Sequence, residues 1–326
     1  MRTLSACSDS FPLVAPFRIS RGVKTAADVV TVQIAADGHV GRGEGVPYPR
    51  YGETIESALA AIEGVRGALE AGAGRAEIMA LMPPSAARNA VDCALWDLEA
   101  KQAGTSVTAL LGRPPVGPTP TALTVSLDTP EAMAAAARKL AGVPLVKVKV
   151  DRNDPAAQIA AVRAAAPKPK LIVDPNESWT IAEVKGLQSL LVDLRVDLLE
   201  QPLPAAEDAA LEGFRSAVPI AADESAHVAA DLDALMSKYQ VVNIKLDKTG
   251  GLTTALELAD AARARGMGLM TGCMVCSSLG IAPALIIAAD AAFTDLDGPV
   301  WLASDRAGGV TCTNGILAPP SLWGTA

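Results

Sequence analysis

The chain has 326 residues, 50% hydrophobic and 3% aromatic, with 28 Lys and Arg against 36 Asp and Glu and a net charge of −8. That length is ample for a sizeable core in one or two domains, while the acidic balance and scarce aromatics exclude a basic, base-stacking nucleic-acid surface. Two histidines, His39 and His227, leave no material for a His-rich metal site and little for a Ser-His-Asp triad.

The N-terminus has no basic segment followed by an apolar one, so no signal peptide is expected. The first element predicted is a strand over Val29–Ala35, joined through an Asp37-Gly38 hairpin turn to a second over His39–Gly45. Helices are predicted over Thr54–Ala71 and Ala86–Ala103; in the second, Val91, Leu95 and Leu98 recur at helical spacing and Gly104 ends it. Leu111–Pro120 holds four prolines and cannot continue a helix or sit in a central strand, so it is a connector. Residues 1–113 therefore read as a small α+β unit.

Beyond the connector, β-rich runs start near Thr121, Leu145, Lys170, Val196, Pro219, Val241, Gly268 and Phe293, spaced 22 to 27 residues apart. Each interval holds one strand and one helix, and Ala-rich helices are predicted over Pro130–Ala141, Pro155–Ala166 and Thr253–Arg265. Eight such units predict a (β/α)8-type barrel over residues 114–300, with an open doubly wound sheet as the alternative. Residues 301–326 form a tail in which Gly308–Gly315 lacks helical periodicity, so the eighth helix is expected to be missing. The most apolar stretch, Ile281–Ala292, is interrupted by Pro283 and Asp290 and falls short of the roughly 18–20 apolar residues a membrane span needs. Five scattered cysteines are no disulfide framework, and a cytoplasmic protein without membrane partners is expected.

Barrel strands should be apolar, yet here strand after strand ends in charge. In Val146-Lys-Val-Lys-Val150, alternation puts Lys147 and Lys149 on one face, pointing into the barrel. Asp174, Glu200, Asp223, Lys245 and the pair Asp295 and Asp297 follow at successive strand ends, the face where barrel enzymes carry their chemistry. Unpaired buried charges are costly, so these must compensate one another or a ligand. Asp174, Glu200 and Asp223 offer only hard oxygen donors from neighbouring strands, which suits Mg²⁺. Cys273 and Cys276 stand alone, as pocket-wall or packing residues rather than metal ligands. Lysines on the second and sixth strands lie on opposite sides of the mouth, an arrangement that fits proton removal from one face of a substrate carbon and delivery to the other. A lysine base needs its pKa lowered from about 10.4 toward 7, roughly 4 kcal/mol, which a neighbouring ammonium and a divalent metal can supply. The alternative for Lys147 and Lys149 is that they are counter-ions only.

The motifs Lys147-Val-Lys149, Asp174-Pro-Asn176, Glu200-Gln-Pro202, Asp223-Glu-Ser225 and Lys245-Leu-Asp-Lys-Thr-Gly-Gly251 resemble the muconate-lactonising subgroup of the enolase superfamily. Such superfamily sites use a Lys or His base with Mg²⁺. The resemblance implies a (β/α)7β modified TIM barrel, an N-terminal α+β capping domain and a C-terminal tail returning to the cap. Asp295-Leu-Asp297 on the eighth strand, together with Pro47–Gly52, Ala86–Asp97 and Gly272–Cys276, is similar to the dipeptide epimerase family. By that resemblance Lys149 and Lys245 are the acid/base pair, Asp174, Glu200 and Asp223 the Mg²⁺ ligands, and Lys147 a partner of the substrate α-carboxylate. Asp295 and Asp297 would grip the dipeptide amino group, and Thr124 and Cys273 would line the substrate. Arg21 of the cap is the candidate cation for the second residue's side chain, its alternative being an exposed surface arginine. Lys248 is a further cation of the last motif, but Lys245 holds the strand position. The implied reaction is two-base 1,1-proton transfer between L-Ala-D-Glu and L-Ala-L-Glu through an enolate, in murein peptide recycling. Another side-chain specificity, or a cycloisomerase, o-succinylbenzoate synthase or N-acylamino acid racemase, is the alternative. The sequence leaves homo-oligomerisation open.

Overall fold

The computed structural model describes residues 1–325 and begins with an antiparallel sheet of order β1-β2-β3: β1 (Thr3–Ile19), β2 (Gly22–Ala36) and β3 (His39–Gly45). The β2–β3 turn has Asp37 and Gly38 at φ of 52° and 80°, as a two-residue hairpin needs. β1 has no counterpart among the predicted elements. It is an edge strand whose register shifts between Pro12 and Phe17, so prolines and half-exposed positions hide its alternation.

The helices α1 (Ile55–Gly64), α2 (Arg66–Glu70), α3 (Arg75–Leu81) and α4 (Ala86–Gln102) follow. The expected Thr54–Ala71 helix is divided at Val65, which leaves helical geometry at ψ 4°. Nearly every residue of α4 is buried. Gly41, Gly43 and Gly45 alternate along β3 and face this helix; a Cβ on any of them would lie 2.0–2.1 Å from the carbonyl oxygen of Ala94, Ala90 or Ala86. Strand and helix thus meet backbone to backbone, which only glycine permits.

After α5 (Val107–Leu110) and the proline connector with β4 (Thr119–Pro120), eight parallel strands form one sheet running in sequence order. They are β5 (Ala122–Val125), β6 (Leu145–Lys149), β7 (Lys170–Asp174), β8 (Leu198–Glu200), β9 (Ile220–Ala222), β10 (Val241–Ile244), β11 (Gly268–Gly272) and β12 (Phe293–Asp295). All eight begin at or close to the positions the spacing predicts. Side chains close the seam between β12 and β5: Leu296 N donates to Thr121 Oγ1 and Thr124 N to Asp297 Oδ2, each at 2.8 Å. Outside lie α6 (Pro130–Arg138), α7 (Pro155–Ala165), α8 (Ile181–Gly186), α9 (Gln188–Asp193), α10 (Leu232–Leu235), α12 (Leu252–Ala264) and α13 (Ser278–Ala288), while the one-turn α11 (Leu246–Thr249) follows the C-terminal end of β10 at the barrel mouth. Between β8 and β9 a 3₁₀ segment, Ala205–Leu211, replaces the α-helix.

Among the described residues no α-helix follows β12. The tail instead forms a hairpin, β13 (Thr311–Thr313) and β14 (Ile316–Ala318), that pairs with β4. It then reaches α4, where Trp323 Nε1 donates to Cys93 O at 3.0 Å and Gly324 N to Asp97 Oδ1 at 2.8 Å. The architecture is a (β/α)7β barrel with an N-terminal α+β cap. Buried Arg88 of α4 donates to the carbonyls of Thr249 and Gly250, and Arg306 of the tail binds Asp9, Glu44 and Ser277. Among the described residues no helix is long and apolar enough to cross a membrane.

Candidate active site

Alternation along each barrel strand builds the site. Ala122, Leu145, Ile172, Leu198, Ala221, Val241 and Met270 fill the N-terminal end of the barrel as one apolar cluster. Two residues further on, the same inward face presents Thr124, Lys147, Asp174, Glu200, Asp223 and Asn243. All six are buried. The outward valines 146, 148 and 173 pack beneath the helices. Above this layer lies a cavity of about 470 Å³, bounded by the barrel mouth and by Phe17–Lys24 and Tyr48–Tyr51 of the cap.

The charges compensate one another in two groups. Lys147 Nζ lies 3.0 Å from Asp174 Oδ2, 2.7 Å from Glu200 Oε2 and 2.7 Å from Asp295 Oδ2, while Lys149 Nζ donates to Asp174 Oδ2 at 2.6 Å. Lys245 Nζ donates to Asp223 Oδ2 and Lys248 Nζ to Asp223 Oδ1, both at 2.7 Å. Burial opposes the charge on Lys147 and Lys245, yet carboxylates, Asp174 foremost at Lys147 and Asp223 at Lys245, hold both well above the ordinary lysine pKa. Asp174 and Asp223 are likewise buried, and the lysines beside them keep both well below the carboxylate range. Glu200 behaves differently: burial and the Asp174 charge push it up to about 8.

Among the described residues, no three acidic, Cys or His side chains converge on one point as a ready metal cluster. Lys147 stands between Asp174 and Glu200, and Asp223 turns to its own lysines, as buried anions must when lysines neutralise them. The residues nevertheless fit a divalent cation. The donors are all carboxylate oxygens on adjacent strands, and Glu200 Oε2, though near Lys147, has no hydrogen-bond partner.

On β12 and just beyond it, Asp295 Oδ1 is buried without a hydrogen-bond partner. Asp297 is pushed up to about 6 by burial and the Asp295 charge, and its Oδ2 accepts from Thr124 N at 2.8 Å and Trp301 Nε1 at 3.2 Å. Asp297 therefore also closes the barrel seam. Thr124 and Cys273 line the cavity, and Cys276 is buried behind it.

Arg21 reaches the cavity from the β1–β2 turn, but its guanidinium is engaged by Glu177 at 3.0 Å, Glu224 at 2.6 Å and the Asn176 carbonyl at 2.8 Å. Sequence reasoning missed Lys24, which lines the same cavity 5.0 Å from the Tyr48 ring centroid. Among the described residues it has no carboxylate within ion-pair distance. It also missed Glu177 and Glu224, which tie Arg21 and Arg50 to the barrel. Glu177 directly follows one named motif and Glu224 lies within another, but their pairing with a cap more than 120 residues away leaves no local signal.

The fold agrees with comparisons to known proteins. Residues 131–324 match the family described as enolase C-terminal domain-like, and residues 1–112 the mandelate racemase/muconate lactonizing enzyme N-terminal domain. The chain is 48% identical to the L-Ala-D/L-Glu epimerase of Escherichia coli K12 across 97% of this chain and 99% of that one. An Agrobacterium tumefaciens enolase family member with homology to dipeptide epimerases, solved with sodium and L-Ala-L-Glu, superposes with a TM-score of 0.97 at 47% identity, covering 99% and 100% of the two chains. The Enterococcus faecalis dipeptide epimerase, solved with Mg and L-Leu-L-Tyr, gives 0.90 at 29% identity, covering 99% and 98%. This chain belongs to the mandelate racemase/muconate lactonizing enzyme family of the enolase superfamily, and it is an isomerase of the epimerase and racemase kind.

Proposed function

We propose that this enzyme is a Mg²⁺-dependent dipeptide epimerase that interconverts L-Ala-D-Glu and L-Ala-L-Glu by two-base 1,1-proton transfer. The observation that carries the reading is the pair of buried lysines, Lys149 ending β6 and Lys245 following β10, four strands apart around an eight-stranded barrel, with carboxylates on the strands between. One lysine enters neutral and takes the α-proton of the second residue; the other enters as ammonium and delivers a proton to the opposite face of the resulting enolate. For the reverse reaction the two exchange roles. Lys245 can enter neutral only when Asp223 turns from it to the cation, because that carboxylate otherwise holds its pKa well above the ordinary lysine value rather than lowering it.

Asp174, Glu200 and Asp223 are the residues that would hold the cation. When bound, it would supply positive charge that lowers the cost of the second negative charge developing on the substrate carboxylate. Lys147 adds a fixed ammonium to the same end of the substrate. Asp295, with its unpartnered Oδ1, receives the dipeptide's α-ammonium, while Asp297 supports it and holds Thr124. At the other end the cap provides cations for the side-chain carboxylate. Arg21 is already paired twice, so Lys24 takes that role, with Arg21 contributing through whatever share Glu177 and Glu224 release. Because a dipeptide of this composition is a murein fragment, we infer a role in cell-wall peptide recycling.

The test is a comparison of kcat/KM for L-Ala-D-Glu, L-Ala-L-Leu and N-acetyl-D-glutamate with Mg²⁺ present. The acidic dipeptide is expected to be the best substrate. Preference for L-Ala-L-Leu would relocate the specificity, and preference for the N-acetyl compound would remove the role given to Asp295.

A further inference from the structure

The barrel mouth contains a fourth lysine, beside Lys147, Lys149 and Lys245, that the reaction above does not use. Lys248 is 2% exposed, and its ammonium makes three hydrogen bonds: to Asp223 Oδ1 at 2.7 Å, to the Asp223 carbonyl and to the Asn243 carbonyl at 3.1 Å. Its position follows from the chain. Lys245 caps the one-turn helix α11 and Lys248 lies three residues on, so both side chains rise on one face and divide the oxygens of Asp223 between them. Lys248 takes Oδ1 and Lys245 takes Oδ2.

Asn243 does for Glu200 what Lys248 does for Asp223. It lies on the inward face of β10, fully buried, and its Nδ2 donates to Glu200 Oε1 at 2.9 Å, leaving Oε2 with no directed partner. Space for this amide exists because β11 has Gly272 alongside: a Cβ there would lie 2.8 Å from Asn243 Oδ1 and 3.0 Å from Lys245 Cε. Each of these two carboxylates therefore has one oxygen anchored from behind and one facing Lys147 or Lys245.

The geometry points to Lys248 and Asn243 as positioning residues for the metal ligands. They fix Asp223 through Oδ1 and Glu200 through Oε1, so that each offers a single oxygen, Oδ2 and Oε2, to the cation. Neither touches substrate. Partners of this kind behind metal ligands typically contribute 10–100-fold to metal affinity. The inference rests on the Mg²⁺ reading above.

The experiment measures Mg²⁺ affinity directly, from the rise in melting temperature of the full-length protein with Mg²⁺ concentration, in wild type, K248M, N243A and G272A. Wild type is expected to bind, and K248M and N243A to bind at least about tenfold more weakly. G272A, which displaces the Asn243 amide, should move in the same direction. At saturating Mg²⁺ the KM for dipeptide should stay near wild type, whereas kcat at limiting Mg²⁺ falls with metal occupancy. Variants with lowered metal-free melting temperature but unchanged Mg²⁺ affinity would overturn the inference and leave the residues as core packing only. Should K248M fail to fold, N243A decides on the same criterion. A wild type that shows no Mg²⁺ response would instead sink the metal reading itself, so the two failures are distinguishable.

Discussion

The two ends of the barrel interior are built from the same eight strands and behave as opposites. At the N-terminal end Leu145, Ile172, Leu198 and Val241 pack as a dry apolar layer. One inward position later, about 7 Å along each strand, Lys147, Asp174, Glu200 and Asn243 are just as buried but charged or polar. The apolar layer stabilises the fold through burial and packing. The charged layer costs desolvation and is held only by mutual compensation, so it exists for its chemistry. The comparison separates stability from function within single strands, and it can be broken at either end.

The largest expected effect is at the mouth. Lys149→Ala and Lys245→Ala should each lower kcat/KM for epimerisation by about 10²- to 10⁴-fold while the folded state survives, as steady-state assays beside circular-dichroism melts would show. At the other end, Leu198→Ala should remove about 2–5 kcal/mol of stability in denaturant titration, with kcat unchanged while the protein is folded. Equal effects on activity from both substitutions would erase the distinction.

A third prediction sharpens it at the cap. Asp92 of α4 is fully buried against α12, accepting from Thr253 N at 2.9 Å and Thr253 Oγ1 at 2.6 Å, and burial pushes its pKa up to about 6. The folded protein therefore holds this proton more tightly than the unfolded chain. Its stabilising contribution is present below about pH 4 and is lost as pH rises through about 6, on the order of 3 kcal/mol in all. Asp92→Asn should flatten stability against pH across that window, read from melting temperatures between pH 4 and 7. The smallest effect is expected at the cavity rim, where Lys24→Met should raise KM for the acidic dipeptide by about tenfold. It should leave an aliphatic dipeptide nearly unaffected.

The barrel was legible because its strands break a rule at regular intervals. Apolar runs that start every 22 to 27 residues, six of the eight ending in Lys, Asp or Glu, are what parallel strands with a dry end and a charged end must look like. The same signal picked out the residues at the mouth, since Lys147, Asp174, Glu200 and Asp223 announce themselves on their own strands. What the cap contributes was much less visible. β1 is a half-exposed edge strand with prolines at positions 12 and 16, so neither period nor propensity marks it. Lys24 and Arg21 look alike as surface cations in sequence. Only the fold shows that Arg21 is neutralised by Glu177 and Glu224 whereas Lys24 is not. Likewise Gly41, Gly43 and Gly45 read as an ordinary weak strand until the backbone of α4 is placed against them.

Incorporation of solvent deuterium tests the central claim most directly. With L-Ala-D-Glu or L-Ala-L-Glu, Mg²⁺ and enzyme in D₂O, proton NMR should show deuterium entering the α-position of the glutamyl residue alone, during interconversion of the epimers. In Lys149→Ala and Lys245→Ala, exchange should be lost from one epimer first, and from a different epimer in each variant. Epimer interconversion without deuterium at that carbon, or identical exchange behaviour in the two lysine variants, would contradict the account.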